Sequence, residues 1–230
     1  HRPSSVAEAV KLAGTHSDDH MLAGGQTLLP AVRLGLLAPT GWIDLAGIAE
    51  LRGIRVDGDD IVIGSMTTHE AVSASPDVRK RIPALAQLAA GIGDKQVRNR
   101  GTIGGSLANS DPAACYPAGV LALGATVQTD RRTIAADEFF KGLYETALAP
   151  AEVITAVRFP VPEKAAYIGH RLEKFQREVK PMWTPETQTS TAGSVDAMQK
   201  AVDTMRKAGI APKRIAAEFG FLPYDAANVL

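Results

Sequence analysis

The chain has 230 residues, with 25 basic and 25 acidic side chains, a formal net charge of zero, and 45% hydrophobic but only 5% aromatic residues. That balance argues against nucleic acid, which needs a basic surface, and no apolar run approaches the roughly 18 residues of a membrane span. Cys115 is the lone cysteine, which rules out an intrachain disulfide framework and an iron–sulfur cluster held by four thiolates. A redox centre would then be organic or sit on a partner. With no signal peptide at its start, the chain is expected to be cytoplasmic.

Ser5 and Glu8 have the spacing of a capping box, and Val6, Ala9, Val10 and Ala13 fall on one helical face. A short strand is expected over 20–23, running straight into Gly24-Gly25. A helix over 28–36 and a strand over 42–45 would complete an α/β unit of residues 1–50. The runs 51–56 and 61–63 flank Asp57-Gly58-Asp59-Asp60, a hairpin signal. Thr67 to Glu70 start the next helix, where His69 reads more readily as a cap or surface residue than as a ligand.

An apolar helix is expected over 83–90, ending at Gly91 and Gly93. Arg98 and Arg100 follow and read as solvated cations. A helix over 113–123 and strands over 127–129 and 153–159, around a short helix at 136–143, complete a second unit of residues 51–179. Helices and hairpins alternate irregularly, which favours α+β over a doubly wound sheet. Residues 180–230 differ in character. Pro181 to Gly193 read as a linker, and Ser194 caps a helical tail whose Ala197, Met198, Ala201, Val202 and Met205 share one face for packing.

Two stretches carry chemistry: AGGQTLLP (23–30) and RGTIGGSLANSDP (100–112). Each sets paired glycines beside hydroxyl residues ahead of an apolar run. Glycine lets successive backbone N–H groups converge and lets an anion approach where a Cβ would stand. Two such stretches point to a ligand with more than one phosphate, a dinucleotide more readily than a mononucleotide. Neither GxxxxGK[ST] nor GxGxxG is present. A pair of plain tight turns is the simpler alternative.

AGGQTLLP, IGSMTTHEAV and IGDKQVRNRGTIGGSLANSDPAACYPAGVLAL, in that order, resemble the FAD-binding medium subunit of molybdenum hydroxylases. That family includes carbon monoxide dehydrogenase and bacterial xanthine dehydrogenase. The likeness runs from His1 to about Val179 and implies a two-subdomain FAD-binding α+β fold. By the same resemblance, Ala23, Gly24, Gly25, Gln26, Thr27 and Leu28 hold the FAD diphosphate from one side. Thr102, Ile103, Gly104, Gly105 and Ser106 hold it from the other, mostly through backbone N–H groups. Asn109 or Asp111 would satisfy ribityl hydroxyls.

Cys115 stands where the family usually has aspartate, DPAAC for DPAAD, and a thiol is a much weaker acceptor than a carboxylate. Leu172 and Lys174 lie in RLEKFQREV, and Leu172 replaces an aromatic that many relatives carry near the flavin ring. After Val179 the sequence departs from the family pattern.

The resemblance also implies a division of labour. Substrate would be oxidised at molybdenum on a large subunit, and electrons would pass through iron–sulfur clusters on a small subunit to FAD and on to an external acceptor. No nucleophile or general base stands out in this chain, which fits a bound flavin doing the chemistry. Two alternatives stay open: a free-standing FAD oxidoreductase of related fold, and a non-catalytic nucleotide-binding scaffold.

Overall fold

The computed structural model describes residues 1–162 apart from Ser17 and Pro112. Leu172, Lys174, the linker at 181–193 and the helix expected after Ser194 lie outside the described residues. Helix α1 (Val6–Thr15) starts at Ser5, whose Oγ accepts from the Glu8 N–H at 3.2 Å. The Glu8 carboxylate reaches back to the backbone N–H and hydroxyl of Ser4, at 2.8 and 3.0 Å, so the capping box is shifted by one residue.

Strand β1 (His20–Leu22), helix α2 (Leu28–Arg33) and strand β2 (Trp42–Asp44) follow, and the two strands pair in parallel with Met21 opposite Ile43. A parallel pair needs a crossover, and α2 supplies it. This helix is shorter than expected because Gly35 turns left-handed, at φ +70°. Ala9, Ile43, Leu45, Ile48, Leu51 and Met66 form a small core on this side.

The hairpin of β3 (Ile54–Asp57) and β4 (Asp60–Gly64) turns through Gly58 at φ +62°, the sign a two-residue loop needs at its first position. Helices α3 (His69–Ala74), α4 (Pro76–Arg81), α5 (Pro83–Gly91), α6 (Lys95–Arg100), α7 (Ile103–Asn109) and α8 (Cys115–Ala122) follow in succession. Strands β5 (Thr126–Thr129) and β6 (Thr133–Ala135) then lead to α9 (Ala136–Phe139), the small hairpin β7 (Phe140–Gly142) and β8 (Glu145–Thr146), and finally β9 (Ile154–Pro160). The helix expected over 136–143 therefore stops at Phe139. Its second half is strand, with Tyr144 at φ +56° closing the turn.

β3-β4-β9-β5-β6 make one antiparallel sheet. Ile61, Ile63, Val127, Val157 and Phe159 pack from its strands against Leu85, Ile103, Leu107, Tyr116 and Val120 of the helices. The α+β class expected from the sequence is what the chain adopts. Among the described residues no helix is long and apolar enough to cross a membrane.

A buried carboxylate paired with a half-exposed arginine ties the far end of the sheet. The Glu152 carboxylate accepts from Arg132 Nε and Nη2, both at 2.9 Å, from Thr129 Oγ1 at 2.7 Å and from the Ala149 N–H at 2.8 Å. These donors hold its pKa down to about 2, the Arg132 bond contributing most.

Candidate functional site

The sheet delivers the site through the chain leaving β4. Residues 65–68 run beside Thr102, with which Thr68 forms an isolated antiparallel bridge. Behind them the chain from β1 enters the loop at 23–27. The two glycine stretches meet there. A Cβ on Gly24 would overlap the Arg100 carbonyl oxygen and come within 2.7 Å of Gly101 Cα, and one on Gly105 would lie 3.3 Å from the Cβ of Ala23. Glycine at 24 is therefore required by a close backbone approach. Gly25 is required by its own conformation, at φ +71°.

The first stretch is an open loop rich in unused donors. The Gly25 and Thr27 carbonyls accept from the Leu29 and Ala31 amides at 3.2 and 3.1 Å, and Gln26 Nε2 turns back onto the Gly24 carbonyl at 3.2 Å. The amides of Gly24, Gly25, Gln26 and Thr27 donate to nothing among the described residues. Thr27 sits in αR two residues after the left-handed Gly25, and its side chain makes no capping bond. Neighbouring amides in left- and right-handed conformations face a common point and suit an anion. Leu28 opens α2 and is half-buried.

The second stretch is helical where the first is open. It is the first turn of α7, with Thr102 as N-cap, its Oγ1 accepting from the Gly105 N–H at 3.2 Å. The Ile103 and Gly104 amides donate to the Thr67 and Ser65 carbonyls at 3.1 and 2.8 Å, and the Ser106 amide to Thr102 O at 3.1 Å. These backbone donors are committed within the chain. Gly104 is a packing glycine, since its Cβ would lie 2.5 Å from that of Ser65. The half-buried Ser106 hydroxyl makes no hydrogen bond among the described residues and remains the donor this side offers.

Asn109, Asp111 and Cys115 lie at the other end of α7, about 10 Å along a seven-residue helix. Ser110, in a left-handed conformation at φ +47°, turns the chain there. Asp111 Oδ1 accepts from the Ala113 N–H at 2.9 Å. Cys115 opens α8, half-buried against the main core. The structure thus brings the stretch at 23–28 against that at 100–106 and leaves these three at or beyond the far end of α7.

His69 differs from the sequence expectation. Thr68 makes the cap, its Oγ1 accepting from the Ala71 N–H at 3.2 Å, and His69 is only 5% exposed. Its Nε2 would stand 2.5 Å from a Cβ on Gly101, and its backbone N–H donates to the Gly101 carbonyl at 3.0 Å. The ring lies 5.3 Å from that of Tyr116. Neither His69 Nδ1 nor the Tyr116 hydroxyl has a hydrogen-bond partner among the described residues. Burial, then the nearby Arg98 charge, lowers the His69 pKa to about 4, so the ring is neutral. Burial pushes the Tyr116 hydroxyl up.

Arg98 itself is committed to Glu70 at 3.1 Å and to the Ile92 and Gly93 carbonyls. The exposed Arg100 side chain makes no bond among the described residues. Sequence reasoning missed Gly101 and His69 because their contacts join segments far apart in the chain.

An antiparallel sheet packed against helices carries a glycine loop whose amides are unused among the described residues. The loop lies against the Arg100–Gly101 peptide and the first turn of α7, an arrangement that suits an anionic ligand. The chain belongs to the family described as the FAD binding domain in molybdopterin dehydrogenase, which it matches over residues 1–162. It is 42% identical over 221 residues to the carbon monoxide dehydrogenase medium chain of Hydrogenophaga pseudoflava, covering 94% of this chain and 74% of that one. It is 41% identical over 162 residues to the nicotine 6-hydroxylase medium subunit of Paenarthrobacter nicotinovorans, covering 69% of this chain and 57% of that one.

Among solved structures, the carbon monoxide dehydrogenase of Hydrogenophaga pseudoflava superposes with a TM-score of 0.69 at 46% identity, covering 70% of this chain and 58% of that one. The quinoline 2-oxidoreductase of Pseudomonas putida 86 gives the same TM-score at 36% identity and the same coverage. The chain therefore spans well under two thirds of the solved chains it resembles. An alignment covering 94% of 230 residues necessarily enters the stretch after residue 180, so the departure expected after Val179 is not a full break from that relative.

The cofactor of this family is FAD, and the residues present fit it. The Gly24–Thr27 amides offer an anion-receptive turn, and hydroxyls that make no hydrogen bond among the described residues flank it at Thr27 and Ser106.

Proposed function

We propose that this chain is the FAD-binding electron-transfer subunit of a molybdenum hydroxylase complex. The observation that carries the reading is the contact between Gly24 and the Arg100–Gly101 peptide, beside amides that nothing in the described chain uses. In this reading the Gly24, Gly25, Gln26 and Thr27 amides hold the diphosphate, with Ala23 and Leu28 framing the loop. Thr102, Ile103, Gly104 and Gly105 form a rigid opposing wall, and Ser106 adds its hydroxyl. Asn109, Asp111 and Cys115 would line the ligand's continuation beyond the far end of α7, with Leu172 and Lys174 completing it.

The bound flavin supplies the redox chemistry, and this chain binds it, orients it and keeps it in place. The partners are an iron–sulfur small subunit and a molybdenum-cofactor large subunit, by analogy with relatives named as medium chains. A single cysteine, Cys115, supports both the need for an external cluster carrier and a cytoplasmic location.

The test is a native pull-down with flavin and metal analysis. FAD released on denaturation, together with a co-purifying molybdenum-containing chain, is the expected result. A colourless protein without FAD would favour a scaffold. A flavoprotein that purifies alone under gentle conditions would favour a free-standing oxidoreductase.

A further inference from the structure

The Arg100–Gly101 peptide is held between two faces. On one side is Gly24, which has room for no Cβ because the Arg100 carbonyl oxygen and Gly101 Cα occupy that space. On the other is the His69 imidazole, whose Nε2 and Cδ2 would stand 2.5 and 2.8 Å from a Cβ on Gly101. The peptide 100–101 is thus touched by both Gly24 and His69, and the His69 ring lies 5.3 Å from that of Tyr116. His69 is 5% exposed and Tyr116 fully buried.

Among the described residues no hydrogen bond holds the imidazole there. Its Nδ1 has no hydrogen-bond partner among the described residues, and burying a polar atom without one is unfavourable. The side chain earns its place through shape, as a flat plate against a backbone that tolerates no bulge. The His69 N–H bond to the Gly101 carbonyl, at 3.0 Å, fixes the same residue from the backbone.

We propose that His69 is a positioning residue for the cofactor loop: by packing on Gly101 it sets the Arg100–Gly101 peptide against Gly24 and so fixes the spacing between the two glycine stretches. The inference rests on the reading of 23–28 and 102–106 as the diphosphate site. A smaller side chain leaves a void behind Gly101, the peptide recedes into it, and the free amides at 24–27 lose the wall they face. A methyl placed on Gly101 drives the peptide the other way, into Gly24. The two changes are opposite in sense, and together they compensate.

The experiment is FAD titration of the flavin-stripped full chain, followed by fluorescence, with urea midpoints measured without FAD. His69→Ala and Gly101→Ala each weaken FAD binding about tenfold, as an ångström-scale misplacement does. The double variant returns to near the parent affinity, because the new methyl takes up part of the vacated volume. His69→Gln, which keeps most of the plate, stays near the parent. Where His69→Ala does not fold, His69→Val, still smaller than the imidazole, takes its part.

Gly24→Val separates this inference from the reading beneath it. Loss of FAD in Gly24→Val with full retention in His69→Ala overturns the positioning role alone. Full retention in Gly24→Val overturns the site itself and this inference with it. A double variant no better than the weaker single also overturns the positioning role, since it makes His69 a stability residue whose loss is merely additive.

Discussion

Gly24 lies against the carbonyl of Arg100 so closely that no side chain fits between them. The contact joins the turn after β1 to the end of α6, two places that share no sheet and no helix. It explains why glycine is needed at 24, whereas glycine at 101 is required by the His69 ring, whose Nε2 would stand 2.5 Å from a Cβ there. It also assigns different tasks to two stretches that look alike in sequence: one exposes its amides, and the other is a wall whose amides are already bonded.

Gly24→Ala is expected to destabilise the chain by about 1–3 kcal/mol, because the added methyl meets backbone that cannot rotate away. Flavin content per protein should fall with it. By contrast, an alanine at Gly14, around which nothing lies within 4 Å, should leave flavin content unchanged and raise helix stability slightly. Absorbance ratios of the purified variants check both, and equal flavin content in all three proteins would contradict the packing argument.

Thr102 caps α7 through the Gly105 amide and is 4% exposed. Thr102→Ala should cost about 1 kcal/mol, and Thr102→Ser, which keeps the oxygen, a few tenths. Urea unfolding of the two variants distinguishes the cap from simple loss of volume. A serine variant as unstable as the alanine one would show that the methyl matters and the oxygen does not.

Much of this was legible in the sequence. The capping box at Ser5, the hairpin around Gly58 and the α+β class follow from spacing and turn chemistry alone. So does the family, through AGGQ and TIGGSLAN. What local pattern does not carry is how distant segments meet. TIGG reads as a loop because glycine usually breaks helices, yet Gly104 sits in a first helical turn because Ser65 leaves no room for a Cβ. His69 reads as a surface residue because Gly101 and Tyr116, which bury it, come later in the chain. The capping box shifted by one for a similar reason: Ser4 also offers a hydroxyl, and the Glu8 carboxylate takes both its donors.

Glu152 sets a stability loss in strong acid. Its pKa falls to about 2 in the folded chain from 4.5, chiefly through Arg132. A lowered carboxylate pKa gives stability that is complete above pH 4.5 and lost as pH falls toward 2. Arg132 is half-exposed, so screening trims the contribution to about 2 kcal/mol. Glu152→Gln should lose that amount at pH 7 and show a flatter profile between pH 4.5 and 2, read from urea midpoints. An unchanged acid profile would mean that other carboxylates set it.

His69 sets a second window, at milder pH. Its pKa drops from 6.5 to about 4 through burial and the charge of Arg98, which faces it while paired with Glu70. Between those values the unfolded chain takes up a proton that the native ring refuses, so stability falls as pH is lowered through the window and is flat above it. From pH 7 to pH 5 the loss is about 2 kcal/mol, given 1.36 kcal/mol per pK unit. The difference between parent and variant is the quantity to measure. His69→Gln has no ring to protonate and should lose about 2 kcal/mol less than the parent between pH 7 and pH 5, while both proteins share the later fall below pH 4.5. Urea midpoints at the two pH values decide it: parallel losses in parent and variant would place the titrating group elsewhere than beneath Gly101.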